Sequence, residues 1–527
     1  MSFHSLRVGV KLPYCAKTTW SWLRATAGRM WQGGNEQLEI VCGAKAKVER
    51  TDRAKVNPMA AALIKNGRIV TAVDDYQADI LVNDGRIHTI GVDLKVGPDV
   101  AVHDAAGLLV LPGGVDVHTH LDWEFGTSRT VDTFATGTKA AAFGGTTTVI
   151  DFCNQNRGES PLVGLEDWHR RRANACVDVG AHMILLDVNA QSLADMKVLI
   201  DREGVTSFKL FMAYPGVLMV DDGALFKAMR IAGGNGAMIC VHAENGPVIQ
   251  VLTEEAVAAG HTSPKYHMLT RPSLMEGEAT HRAIRLSELA EVPLYVVHLS
   301  AAEALAAVTE ARDRGIPVHA ETCPHYLFLT RDEYDRPGFD AAKFVMTPPL
   351  RDAHHQKQLW RGLRTDDLQV VSTDHCPFCF NEQPYGIKFS KQQGRADFSK
   401  IPNGAPGIET RLPLIHDGGV GKHGMSLNRF VELTATTPAK LFGLFPKKGT
   451  IAVGSDADVV LFDPEESWTI RAAEHHSRID YSLFEGRPVT GRVKKVFSRG
   501  ELIVDGDRWL GREGRGEFLR RGRSGGC

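Results

Sequence analysis

The chain predicts an α/β fold, a (β/α)₈ barrel with a small β-sandwich domain built from both of its ends. Two observations carry this. Short apolar runs alternate with helical patterns from Gly114 to Asp374, and β-rich stretches with tight-turn dipeptides bracket that middle on either side. Strands alternating with helices argue for a parallel sheet with helical crossovers, and an eightfold alternation argues for its closure into a barrel. A doubly wound open sheet would share the local pattern. At 527 residues the chain exceeds one ordinary core, so a second domain is expected.

Residues 1–58 differ in texture from the rest. Arg7 to Arg29 carry basic, Ser/Thr and Trp residues, and the first acidic residue is Glu36, which is reminiscent of a transit peptide. The segment reads as a poorly structured extension, and Met59 opens a stretch with the look of an ordinary domain start. Residues 59–110 hold alternating runs (Ile80-Leu81-Val82, Ile87-His88-Thr89-Ile90), with Asn66-Gly67 and Asp84-Gly85 as hairpin turns. Residues 446–510 repeat that texture in Asp458 to Phe462, Val493 to Phe497 and the turn Asp505-Gly506. The two stretches are expected to form one β domain with the barrel, 111–445, inserted into it, and a basic tail follows at 511–527.

The eight barrel strands are read at Gly114 to His118, Thr146 to Phe152, His182 to Val188, Ser207 to Met212, Ala237 to His242, Leu294 to His298, Val318 to Glu321 and Leu368 to Asp374. Between them, Glu276 to Ala290 and Ala301 to Arg314 read as helices. Ser300 with Glu303 makes a capping box for the second.

Composition narrows the function classes. Lys plus Arg (61) nearly cancel Asp plus Glu (63), for a formal net charge of -2, which argues against nucleic acid and membrane surfaces as partners. No apolar run is long enough to span a bilayer. Nine cysteines without a repeating spacing suit a reducing cytoplasm, and Cys376 to Cys379 is an isolated Cys-x-x-Cys.

Reactive groups of a barrel gather at the carboxyl ends of its strands. There the sequence puts His118 and His120, two alternate residues that share a strand face, then Lys209, His242, His298 and Asp374. Four imidazoles and a carboxylate suit zinc or a similar divalent metal. Lys209, flanked by Phe208, Leu210 and Phe211, would be a costly ammonium on a buried strand; deprotonation or conversion by CO₂ to a carbamate would relieve it. His182, His319, His325 and His375 read as structural or as supports for the ligands.

Six motifs in order resemble the cyclic amidohydrolases, and within them the dihydropyrimidinase and D-hydantoinase branch. They are Gly113 to His120, Phe208 to Tyr214, Val241 to Glu244, Ala320 to Leu327, Thr373 to Phe378 and Ile401 to Gly404. The resemblance implies a homotetrameric enzyme with two Zn²⁺ per subunit. One metal would be held by His118, His120, carboxylated Lys209 (N6-carboxylysine) and Asp374. The other would be held by His242, His298 and the same carbamate. A bridging hydroxide would open the cyclic amide of a dihydropyrimidine or 5-substituted hydantoin to an N-carbamoyl amino acid, with Asp374 as base and then acid. Tyr214 would steady the oxyanion.

The resemblance also implies substrate contacts at Thr347 and Asn403, and a side-chain pocket of Leu121, Trp123, Phe125 and Phe211. Thr347 departs from the branch's Ser before Pro-Pro-Leu-Arg, and the loop 380–395 is several residues longer than usual. Asp122 stands where dihydroorotases carry an Arg, which counts against that activity. An allantoinase, or a scaffold relative without catalysis, is the alternative.

Overall fold

The computed structural model describes residues 61–125, 128–381 and 390–523, the side chain of Phe125 excepted. The extension 1–58 and residues 382–389 of the long loop lie outside the described residues.

The strands β1 (Ala62–Val70), β2 (Asp75–Asn83), β3 (Arg86–Gly91), β4 (Ala101–Asp104) and β5 (Leu109–Pro112) come from one end of the chain. Directly after them β6 (Gly114–Thr119) starts the barrel, and a two-residue hairpin, β7 (Glu124–Phe125) and β8 (Ser128–Arg129), follows. The barrel continues with β9 (Thr146–Asn154), β10 (Asp178–Ile184), β11 (Ser207–Phe211), β12 (Met238–His242), β13 (Leu294–Val296), β14 (Val318–Thr322) and β15 (Val370–Val371). The other end supplies β16 (Val459–Thr469), β17 (Pro488–Ser498), β18 (Glu501–Asp505) and β19 (Arg508–Trp509).

The terminal strands form one nine-stranded mixed sheet, β19-β18-β17-β16-β5-β1-β2-β3 with β4 on β1. The β5–β16 pair joins the two ends of the chain. Asp84-Gly85 makes the β2–β3 turn with both residues at positive φ, as a primed hairpin turn requires. Asn66-Gly67, expected as a second hairpin turn, is instead a bulge inside β1, marked by a register shift against β2. A Cβ on Gly67 would stand 2.2 Å from Val110 Cγ2, so the glycine allows β1 and β5 to approach rather than reversing the chain.

The eight parallel strands run β6-β9-β10-β11-β12-β13-β14-β15, and a bridge from Thr119 to His375 with His120 N donating to His375 O (2.9 Å) links the last strand end to the first. Their residues are buried on both faces, as helix-covered parallel strands must be. The third strand is displaced from its expected span, His182 to Val188, and is Asp178–Ile184. Its charged first residue, which the apolar pattern passed over, is buried against Lys448 Nζ (2.7 Å). That ammonium also holds Asp456 (3.0 Å) and Asp458 (2.8 Å), tying the barrel base to the sheet segment.

The expected capping box is absent. The helix Ala302–Asp313 begins without a side-chain cap; Ser300 Oγ donates to Glu276, whose carboxylate also accepts the Ser300 and Ala301 amides (2.7 and 3.0 Å). A buried carboxylate from the preceding helix, Ser273–Ala290, thus replaces the local cap. The basic segment 511–523 packs along β10: Val179 N donates to Glu517 O (2.9 Å) and Leu519 N to Val179 O (2.8 Å), and Arg515 and Arg521 are buried.

Candidate metal centre

Strand pleating turns His118 and His120 to the same side, and Asp374 meets them across the barrel closure. His118 Nε2 lies 3.3 Å from His120 Nε2, Asp374 Oδ1 is 3.1 Å from the former and 3.3 Å from the latter. Opposite this triangle, His242 Nδ1 and His298 Nε2 are 3.0 Å apart. Two ligand atoms each about 2.1 Å from one zinc ion at a roughly tetrahedral angle stand about 3.4 Å apart, so both groups have nearly the spacing of donors to a shared cation.

Neighbouring side chains orient these atoms. Glu321 accepts from His118 Nδ1 and from the Tyr295 hydroxyl (2.8 Å), leaving His118 Nε2 to face the cluster. Glu244 takes His242 Nε2 (2.8 Å), which presents Nδ1. Carboxylate-backed imidazoles of this kind are the usual supports of metal ligands. Asp116 accepts from the amides of His118 and Thr373 (3.3 and 3.2 Å) and from the Thr373 hydroxyl (2.6 Å), locking the first strand to the last. Three residues here, Tyr214 (φ 63°), His298 (φ 38°) and Asp374 (φ 47°), hold left-handed backbone that side chains rarely adopt, a strain that clusters at functional sites.

The electrostatics fit a cation. Burial keeps His120 down at about 4 and His298 well below its ordinary value, so both offer lone pairs. Burial opposes charge on His118 too, yet Asp374 and Glu321 overcome it and raise His118 to about 9. The positive charge these carboxylates call for is the charge that a divalent ion supplies. Lys209 is 1% exposed with Nζ 4.9 Å from the Phe152 ring and 5.0 Å from that of Phe211, and burial lowers it to about 8.

A cavity of about 40 Å³ is bordered by all six of these residues together with Trp123, Phe211, Tyr214, Thr347 and Asn403. Burial raises the Tyr214 phenol to about 12, so it keeps its proton at neutral pH. Leu121, expected in the apolar pocket, is fully buried against Gly137 in the barrel core and does not border the cavity. The Phe125 side chain lies outside the described residues. Leu218, Cys376 and Gly404 border the cavity unforeseen. Glu321 and Glu244 were within reach of sequence reasoning: one is the polar end of the seventh strand and the other lies two residues after His242.

A family model described as the amidohydrolase family matches residues 109–503. The D-hydantoinase of Streptomyces coelicolor is 51% identical over 464 residues, covering 87% of this chain and 97% of that protein. A crystal structure of dihydropyrimidinase from Brevibacillus agri aligns with a TM-score of 0.86 at 48% identity, covering 89% of this chain and 100% of that one. The L-hydantoinase (dihydropyrimidinase) of Arthrobacter aurescens aligns at 0.78 and 32% identity, covering 87% and 99%. The chain belongs to the amidohydrolase family, within its D-hydantoinase and dihydropyrimidinase branch.

Proposed function

We propose that this chain is a zinc-dependent cyclic amidase that hydrolyses the ring amide of dihydropyrimidines or 5-substituted hydantoins to N-carbamoyl amino acids. The observation that carries the reading is the convergence of the His118/His120/Asp374 triangle, the His242/His298 pair and buried Lys209 on one cavity.

Carboxylated on Nζ, Lys209 would be a ligand shared by both groups, and its lowered value enriches the neutral amine that reacts with CO₂. Two zinc ions so held would supply a water acidic enough to act as nucleophile near neutral pH and would polarise the ring carbonyl. Asp374 is the proton carrier. Burial works against its charge, but His118 and the hydrogen bonds from His118 and His120 hold it well below the ordinary carboxylate range, so it is ionised and ready to accept. It takes the proton of the attacking water and returns it to the ring nitrogen as the C–N bond breaks. Tyr214, whose phenol keeps its proton, donates a hydrogen bond to the developing oxyanion. Asn403, whose Nδ2 reaches the Tyr214 hydroxyl (3.4 Å), and Thr347 hold the ring edge. Trp123, Phe211 and Leu218 face the ring substituent and suit alkyl or aryl groups.

Homotetrameric assembly, supported by the resemblance, and a cytoplasmic location, supported by the nine scattered cysteines, complete the reading; among the described residues no helix is long and apolar enough to cross a membrane. A panel of dihydrouracil, phenylhydantoin and allantoin tests it. Metal-dependent opening of the first two is expected, and turnover of allantoin alone would replace this reading with an allantoinase.

A further inference from the structure

Lys391 is fully buried, opens a short turn (Lys391–Gly394), and belongs to no part of the site above. Its Nζ donates to three backbone carbonyls, Val345 O (2.8 Å), Pro402 O (2.9 Å) and Gly404 O (2.9 Å). Among the described residues no carboxylate lies within ion-pairing distance of it. An ammonium has three donors, and here each has one carbonyl. Two of those carbonyls flank Asn403, and the third lies two residues before Thr347. The two segments meet again where Gly404 N donates to Val345 O (3.1 Å). A Cβ on Gly404 would stand 2.4 Å from Cys376 O, so the Asn403 loop is pressed onto the strand end that carries Asp374.

Burial lowers this ammonium to about 7, and the three carbonyl oxygens around Nζ are partners for its donors. A methionine would fill the same space without desolvating a charge. What lysine adds is a fixed tripod between the two segments.

We propose that Lys391 is a positioning residue that sets the distance between Asn403 and Thr347, and so the fit of the cyclic substrate. This rests on the cyclic-amidase reading, because it gives those two residues the ring edge to hold. The test compares Lys391→Met, which keeps volume without donors, with Lys391→Gln, which keeps two. Phenylhydantoin kinetics and zinc content are measured on the full chain. KM should rise about tenfold or more in the Met variant and less in the Gln variant, with kcat within about threefold of wild type and zinc unchanged. KM within about twofold of wild type in a soluble Met variant overturns the proposal. So does zinc loss with kcat falling in step, or insolubility of both variants, which would make Lys391 a folding residue. A wild-type protein inactive on the whole substrate panel would instead defeat the functional reading beneath it.

Discussion

Truncating Lys209 to alanine asks whether a lysine, rather than a sixth conventional ligand, unites the two halves of the site. Burial between the Phe152 and Phe211 rings brings this amine to about 8 from 10.5. At pH 7.5 an amine titrating at 10.5 is about 0.1% neutral, and one titrating at 8 is about a quarter neutral, so burial enriches the CO₂-reactive form roughly 240-fold. Without Nζ, the His242/His298 pair is left with two protein ligands, too few for a structural or catalytic zinc site. Lys209→Ala should therefore drop from two metals per chain to one or none in dialysed protein, read by plasma mass spectrometry. Phenylhydantoin turnover should fall by roughly a thousandfold or more. Propionate, entering the space left by the side chain and supplying a carboxylate, should restore part of both. A variant that keeps two metals and more than about a tenth of the turnover would refute the carbamate bridge.

Asp374→Asn keeps the shape of the triangle but loses the proton carrier, and ring opening should become undetectable against wild type in the same assay; turnover within about tenfold would remove Asp374 from that role. Glu321→Gln weakens the support behind His118 and should lower zinc affinity by about 10- to 100-fold in competition with a chelator, whereas unchanged affinity would show the contact to be incidental. Lys448→Met removes the buried cation that Asp178, Asp456 and Asp458 share, leaving Asp178 only Arg499 (3.3 Å), and should cost about 3–5 kcal/mol in urea unfolding. Lys448 titrates above its ordinary 10.5, so its contribution is complete below that and fades as pH rises through the folded-state value. Asp178 titrates below 3.8, so its share is complete at neutral pH and lost only as pH falls past that range. The gap between wild type and variant should be flat from about pH 5 to 9 and narrow outside it; a gap that grows in acid would contradict this assignment.

Sequence pattern succeeded where chemistry is local. Alternation puts His118 and His120 on one face whatever surrounds them, and apolar runs ending in His242, His298 and Asp374 mark the carboxyl ends of strands. It failed where a distant partner overrides a local signal. Asn66-Gly67 has the composition of a hairpin turn but becomes a bulge because β5 approaches Gly67. Ser300 and Glu303 have capping-box spacing, yet Glu276 claims the Ser300 hydroxyl and the first amides. Asp178 starts a buried strand because Lys448, far along the chain, neutralises it. Leu121 shares the apolar character of Trp123 but not its direction, and the support from Asp116 to Thr373 required knowing which atoms face which.

By itself, the sequence determined the order of strands and helices, the strand ends that carry His118, His242, His298 and Asp374 and the presence of a buried lysine among them, because periodicity and residue type are properties of short segments. Only the tertiary structure decided that Lys209 borders one cavity with both histidine groups, that Glu321 and Glu244 take one ring nitrogen each of His118 and His242, and that Lys391 ties the segments of Val345 and Gly404 together. Those are distances between residues up to hundreds of positions apart, set when the barrel closes on itself through His120 and His375.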